Sequence, residues 1–143
     1  MFLTGKRLDL GLLFLRLGIG TLFIFHGLPK IMGGPERWEM VGGAMSNLGI
    51  NSFHIFFGFA AAVAEVFGGI FLILGLYTLP ALILLICTMI VAFVTQLARE
   101  AGFSDFSHPL SLGVVFIAML MTGPGKHSLD EKLSKKRRRS LFK

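Results

Sequence analysis

Four apolar runs divide the sequence, separated by short polar or glycine- and proline-rich stretches. They extend from Leu10 to Leu28, from about Phe56 to Leu76, from about Leu79 to Leu97 and from about Phe106 to Thr122. At about 1.5 Å of rise per residue, such runs match a hydrocarbon core roughly 30 Å thick. Within lipid a helix satisfies its own backbone hydrogen bonds. The pattern therefore predicts an all-α integral membrane four-helix bundle. The fourth run is short and spans if it stands nearly upright.

The connections are as informative as the runs. Residues 29–55 lose the apolar character and carry Pro29, Gly33, Gly34, Pro35, Gly42, Gly43 and Asn51, the composition of a loop outside the core. Inside it Pro35 can start a short interfacial helix, with Trp38, Val41, Met45 and Leu48 near one face. That piece is expected to lie flat at the membrane surface with Trp38 at headgroup depth. Gly75, Tyr77, Thr78 and Pro80 leave room only for a tight turn, so the second and third runs form an antiparallel hairpin. Arg99, Glu100 and Asp105 mark the opposite end, and Pro109 falls in the first turn of the fourth run. Gly123, Pro124 and Gly125 stop that run. Ser128 followed by Glu131 then forms a capping box for a short basic helix. The transmembrane domain thus covers 1–127, and 128–143 form a basic tail.

Composition supports this organisation: 54% hydrophobic and 15% charged residues are incompatible with a soluble domain of this length. The net charge of +6 does not signal nucleic acid, because the basic residues are local. Lys6, Arg7, Lys126, Lys132 and the run Lys135, Lys136, Arg137, Arg138, Arg139 and Lys143 hold ten of the fourteen lysines and arginines. Four crossings put both termini on one side, and the excess of basic residues makes that side the cytoplasm. The tail then reads as a topology signal, with an anionic-lipid or protein contact as the alternative. Arg16 interrupts the first run and no small-residue cleavage site follows it, which argues against a removable signal peptide. Cys87 is the single cysteine, so an internal disulfide, a CxxC redox pair and a cysteine-rich metal cage are excluded.

Arg16 and Glu65 are the residues that demand explanation, since a charge near the bilayer centre costs about 2.5–3.5 kcal/mol. Glu65 lies in a stripe of Gly58, Ala61, Glu65, Gly68, Leu72 and Gly75 at steps of three and four, which turns it toward the bundle. Measured from the cytoplasmic ends of the runs, Arg16 lies roughly 9 Å deep, Glu65 roughly 16 Å and His26 roughly 24 Å. Arg16 and His26 fall within roughly 80° on the helical wheel, so one face of the first helix is expected to present both toward Glu65. Lys30 continues this polar line to the surface. One reading is a buried ion pair that locks two helices. The other is an intramembrane pocket that handles a polar head group or protons, with Gln96, Thr95, Thr88 and His108 completing its lining. His54 and His127 read as solvated. The histidines are too scattered in depth to assign a metal site.

These residues carry a resemblance. The segments Arg16-Leu17-Gly18, Phe23-Ile24-Phe25-His26-Gly27-Leu28-Pro29-Lys30, Ala64-Glu65-Val66-Phe67-Gly68-Gly69, Gly75-Leu76-Tyr77-Thr78 and Gly123-Pro124-Gly125-Lys126-His127-Ser128-Leu129-Asp130 together resemble the DoxX family of small bacterial inner-membrane proteins. The resemblance covers most of residues 10–130. It implies a four-helix bundle related to the small subunit of a thiosulfate:quinone oxidoreductase. Its recurrent polar positions match Arg16, His26, Lys30 and Glu65. Some relatives place a histidine near the end of the third helix and an acidic residue entering the fourth, where this chain has Gln96 and Ser107-His108-Pro109. The implied function is a redox-associated membrane subunit that takes a quinone-like lipid as ligand, with no covalent cofactor. Lacking a cysteine pair, a haem-ligand pair or a nucleotide loop, it would depend on a redox partner protein, and a homo-oligomer is the other association considered. The alternative is a non-catalytic assembly or scaffold subunit, or a small proton-coupled transporter with Glu65 as its proton site.

Overall fold

The structure is a computed structural model that describes residues 5–141; Lys143 of the basic tail lies outside the described residues. Six α-helices follow one another: α1 (Gly5–Met32), α2 (Gly34–Gly42), α3 (His54–Leu74), α4 (Thr78–Ala98), α5 (Phe103–Thr122) and α6 (Leu129–Leu141). A 3-10 turn, Gly43–Leu48, extends α2. Among the described residues there is no strand, and α1, α3, α4 and α5 are the four helices long and apolar enough to cross a membrane. The protein is thus an all-α integral membrane bundle.

Helix α1 packs most closely on α3, and glycines set the distance. A Cβ on Gly20 would lie 2.7 Å from the Gly69 carbonyl oxygen, and one on Gly27 would lie 3.0 Å from Glu65 Cβ. Small residues thus bring the two backbones into contact, the arrangement favoured where lipid supplies no hydrophobic drive between helices. The buried residues of α1 (Asp9, Leu12, Arg16, Gly20, Phe23 and Gly27) recur at steps of three and four, and Lys30 is the next step. The expected α3 stripe also faces inward, with Gly58, Glu65, Gly68, Leu72 and Gly75 buried. Gly68 abuts Leu85 of α4. The central core joins Phe23 of α1, Leu72 of α3, Leu82, Leu85 and Met89 of α4, and Phe116 and Met119 of α5.

Of the boundaries that differ from the sequence expectation, including an α1 that begins at Gly5 and not near Leu10, two bear directly on the site. Helix α1 does not end near Leu28 but continues through Pro29 to Met32. Proline removes one donor from the helix ladder, yet the chain goes on and Gly33 N–H closes the turn on the Pro29 carbonyl at 3.1 Å. That extra turn holds Lys30 on the buried stripe. Helix α5 begins at Phe103, one turn earlier than expected, and so includes Asp105. The short helix after Pro35 is present, but it is clasped to the bundle. A Cβ on Gly58 would fall on the Trp38 carbonyl, and one on Gly42 on the His54 carbonyl. The Trp38 ring packs on Phe59 at a centroid distance of 4.8 Å.

At the end holding the termini, the closing turn is tied to the bundle. Gly123 ends α5 with φ 79°, and Ser128 Oγ accepts from Glu131 N–H at 3.2 Å as the cap of α6. Glu131 itself pairs with Lys135 at 3.3 Å rather than closing the capping box. Asp130 binds the α3–α4 turn: its carboxylate accepts from Tyr77 N–H and Thr78 N–H, both at 2.9 Å, and its own N–H donates to the Gly75 carbonyl at 2.9 Å. Asp9 of α1 accepts from Lys126 N–H at 3.0 Å. The start of the tail is therefore clamped to the transmembrane helices.

Candidate functional site

Glu65 is buried, its side chain 6% exposed, and its partner is Lys30. Lys30 Nζ donates to both carboxylate oxygens at 2.6 Å. The pair forms because Gly27, one turn before Lys30, lets α1 approach Glu65, and because the helix persists past Pro29. A charge-assisted, two-centred hydrogen bond offsets the cost of placing a carboxylate between spanning helices. The Trp38 indole N–H donates to the Lys30 carbonyl at 2.8 Å, which attaches α2 to the end of α1 at the same place.

Two cavities meet at this pair. The larger, about 500 Å³, lies between α3 and α4 under α2 and the 3-10 turn. Its walls are mostly small or apolar, including Ala61, Ala64, Val91 and Ala92, with Thr88, Thr95 and Gln96 among its polar groups and Arg37 and Arg99 on its rim. The smaller, about 200 Å³, lies between α1, α3, α4 and α5 and is lined by His26, Lys30, Glu65, Gln96, Asp105 and His108 among others. Lys30, Glu65, Ala92 and Gln96 line both. The rings of His26 and His108 face across the smaller cavity with centroids 6.3 Å apart.

Five of the residues selected from sequence, His26, Lys30, Glu65, Gln96 and His108, are thus brought together. Arg16 is not. It is 1% exposed and lies against Gly75 and Ser128 at the end of the bundle that holds the termini. Its Nε, Nη1 and Nη2 make no hydrogen bond among the described residues. The expectation that Arg16 meets Glu65 is corrected by the register of α1 on α3. With Gly20 against Gly69 and Gly27 against Glu65, Arg16 lies roughly 16 Å along the axis from the level of Glu65. The first turns of α1 project beyond the end of α3 to meet the 125–128 turn, whereas the depth estimate had aligned the ends of the apolar runs.

Thr88 and Thr95 line the larger cavity while donating to backbone carbonyls of their own helix, at 2.8 and 2.7 Å. Thr95 Oγ1 also accepts from Asn47 Nδ2 at 3.4 Å, which anchors the 3-10 turn to α4. His54 is half-buried, within 3.2 Å of Ser46 Oγ, so it is not simply solvated; His127 is exposed. Sequence reasoning overlooked Asp105, Arg37 and Arg99. Asp105 stands three residues before His108, on the same face of α5, and that spacing was the available signal. Reading the fourth helix as starting at Phe106 hid it. No group of three or more His, Cys, Asp or Glu side chains able to hold a metal ion occurs among the described residues.

The DoxX family model matches residues 11–97, more than half of the chain. An uncharacterized membrane protein of Mycobacterium tuberculosis is 31% identical over 139 residues, covering 85% of this chain and 80% of its own length. An uncharacterized protein of Haemophilus influenzae is 29% identical over 133 residues, covering 87% and 92%. CatD of Bacillus subtilis, which carries the provisional name of an oxidoreductase, is 29% identical over 127 residues, covering 87% and 88%. No solved structure matches the chain. With the family match spanning the first three membrane helices and the buried Lys30–Glu65 pair, this chain belongs to the DoxX family of membrane proteins.

Proposed function

We propose that the chain is a redox-associated membrane subunit that binds a quinone-like, lipid-soluble ligand in the larger cavity. The observation that carries this reading is the placement of the Lys30–Glu65 pair and Gln96 on the wall of a mostly apolar space of about 500 Å³. Ligand pockets are of this size and kind: apolar walls with a few converging polar groups. Lys30 Nζ and the Gln96 amide can donate to a ring carbonyl, Glu65 can hold or release a proton, and the alanines of α3 leave room for a flat ring. When bound, a quinone supplies the two-electron chemistry. The residues of this chain orient the ligand, exclude water and manage the proton, and a partner oxidoreductase carries electrons. The provisional name of CatD supports this class of function. The basic termini support an orientation with both ends in the cytoplasm, across a bacterial inner membrane.

Trp38 is the single tryptophan and borders the site through Lys30, so its fluorescence reports on ligand binding without a label. Titration of purified protein with a short-chain quinone is expected to give saturable quenching. Lys30→Met should weaken binding about tenfold or more, the loss of a charge-assisted hydrogen bond of about 1.5–3 kcal/mol. Quenching that never saturates, or that is the same in Lys30→Met and Gln96→Leu variants, rejects the pocket. Mass spectrometry of lipids retained after gentle detergent extraction provides an independent check.

A further inference from the structure

The smaller cavity differs from the larger in chemistry, and the difference assigns it a separate task. We infer that it is an aqueous vestibule through which protons pass between the membrane surface opposite the termini and the Lys30–Glu65 pair, with Asp105, His108 and His26 as the relay. This inference rests on the functional reading above for the purpose of the proton, but not for the existence of the vestibule.

Three observations support it. First, its volume of about 200 Å³ has room for several waters at about 30 Å³ each. Water needs polar partners as well as room, and six polar side chains face this space: His26, Lys30, Glu65, Gln96, Asp105 and His108. Second, Glu65 is the most buried of the six, its side chain 6% exposed, with Lys30 at 25%, so the carboxylate is the group this cavity shelters most. Third, Asp105 and His108 lie in the first two turns of α5, at the end of the bundle where α3 begins and α4 ends. The charged or titratable groups that line the two cavities beside the pair are His26 from α1, Arg37 from α2, Cys87 and Arg99 from α4, and Asp105 and His108 from α5. Of these, the imidazoles are the side chains suited to take up and release a proton near neutral pH. The arginines stand on the larger cavity.

The transfer is simple to balance. A bound quinol gives a proton to the Glu65 carboxylate as its electrons leave to the partner oxidoreductase; the proton then passes to water in the vestibule, through the imidazoles of His26 and His108, and to bulk solvent past the Asp105 carboxylate. Glu65 is left as the carboxylate paired with Lys30. The reverse path reprotonates it.

Labelling of single cysteines with a membrane-impermeant, quaternary-ammonium thiol reagent tests the assignment, in proteoliposomes and on a Cys87→Ala background. His26→Cys and His108→Cys are expected to react about tenfold or more faster than Phe25→Cys, which stands beside His26 but faces outward, 69% exposed where lipid surrounds the bundle. The two histidine positions lie on different helices, so one misfolded variant does not end the test. Reaction at neither position above the Phe25→Cys rate overturns the vestibule. The relay is tested by the pH dependence of quinone affinity, read from Trp38 between about pH 5 and 8. The His26→Phe/His108→Phe variant should flatten that dependence while retaining binding; an unchanged profile overturns the relay. If no quinone binds but both cysteines label rapidly, the ligand reading fails and the vestibule stands.

Discussion

The partner of Glu65 can be decided by energetics, because two candidates on the same helix make opposite predictions. Lys30 donates to both oxygens of Glu65, whereas Arg16 lies roughly 16 Å away along the axis. Removing one member of a fully buried pair costs about 3–5 kcal/mol, because the other charge is left uncompensated. Lys30 is 25% exposed, so solvent screening lowers the expected cost of Lys30→Met to about 2–3 kcal/mol. Replacing both partners, as Lys30→Met/Glu65→Met, removes the stranded charge and should recover most of that loss. The cycle therefore predicts a coupling of about 2 kcal/mol between residues 30 and 65, within the range seen for residues in contact. The parallel cycle between Arg16 and Glu65 should be additive to within about 0.3–0.5 kcal/mol, since the sites share no partner. Reversible unfolding in mixed micelles, followed by Trp38 fluorescence, measures all five variants, the Glu65 single variant being common to both cycles, and the wild type. A coupling below about 0.5 kcal/mol for Lys30–Glu65, or an equal coupling for Arg16–Glu65, refutes the register on which the site depends.

Other consequences follow from the same contacts. Gly20→Ala places a methyl group 2.7 Å from the Gly69 carbonyl and from Ile73 Cγ1, so α1 must shift. The overpacking should cost about 1–3 kcal/mol in thermal unfolding, while Gly18→Ala, with open space around it, should cost little. Asp130→Asn keeps one acceptor at the start of α4 but loses the carboxylate that serves Tyr77 and Thr78, and should destabilise by about 1 kcal/mol with faster amide exchange at those two residues. Trp38→Phe retains an aromatic ring against Phe59 but removes the bond to the Lys30 carbonyl, an expected loss of about 1 kcal/mol detectable as a lower melting temperature.

The sequence by itself determined the class of protein, the number of crossings, the inward face of α3 and most of the polar residues that converge. These are properties of period and composition. An apolar run about as long as the bilayer is thick has one stable form in lipid, and small residues at steps of three and four mark the face that meets another helix. The tertiary structure decided which charges meet. Arg16 and Lys30 both lie on the buried stripe of α1, and nothing in the periodicity distinguishes a partner one turn from Glu65 from one at the far end of the bundle. That choice is made by the axial register of two helices, fixed where Gly20 meets Gly69, and by the persistence of α1 through Pro29. Asp105 was hidden for a related reason, since a helix start in a polar segment is set by packing at the bundle end and not by hydropathy. The division of the interior into two cavities likewise depends on how α2 folds back over α3 and how α5 closes against α1, contacts between residues far apart in the chain.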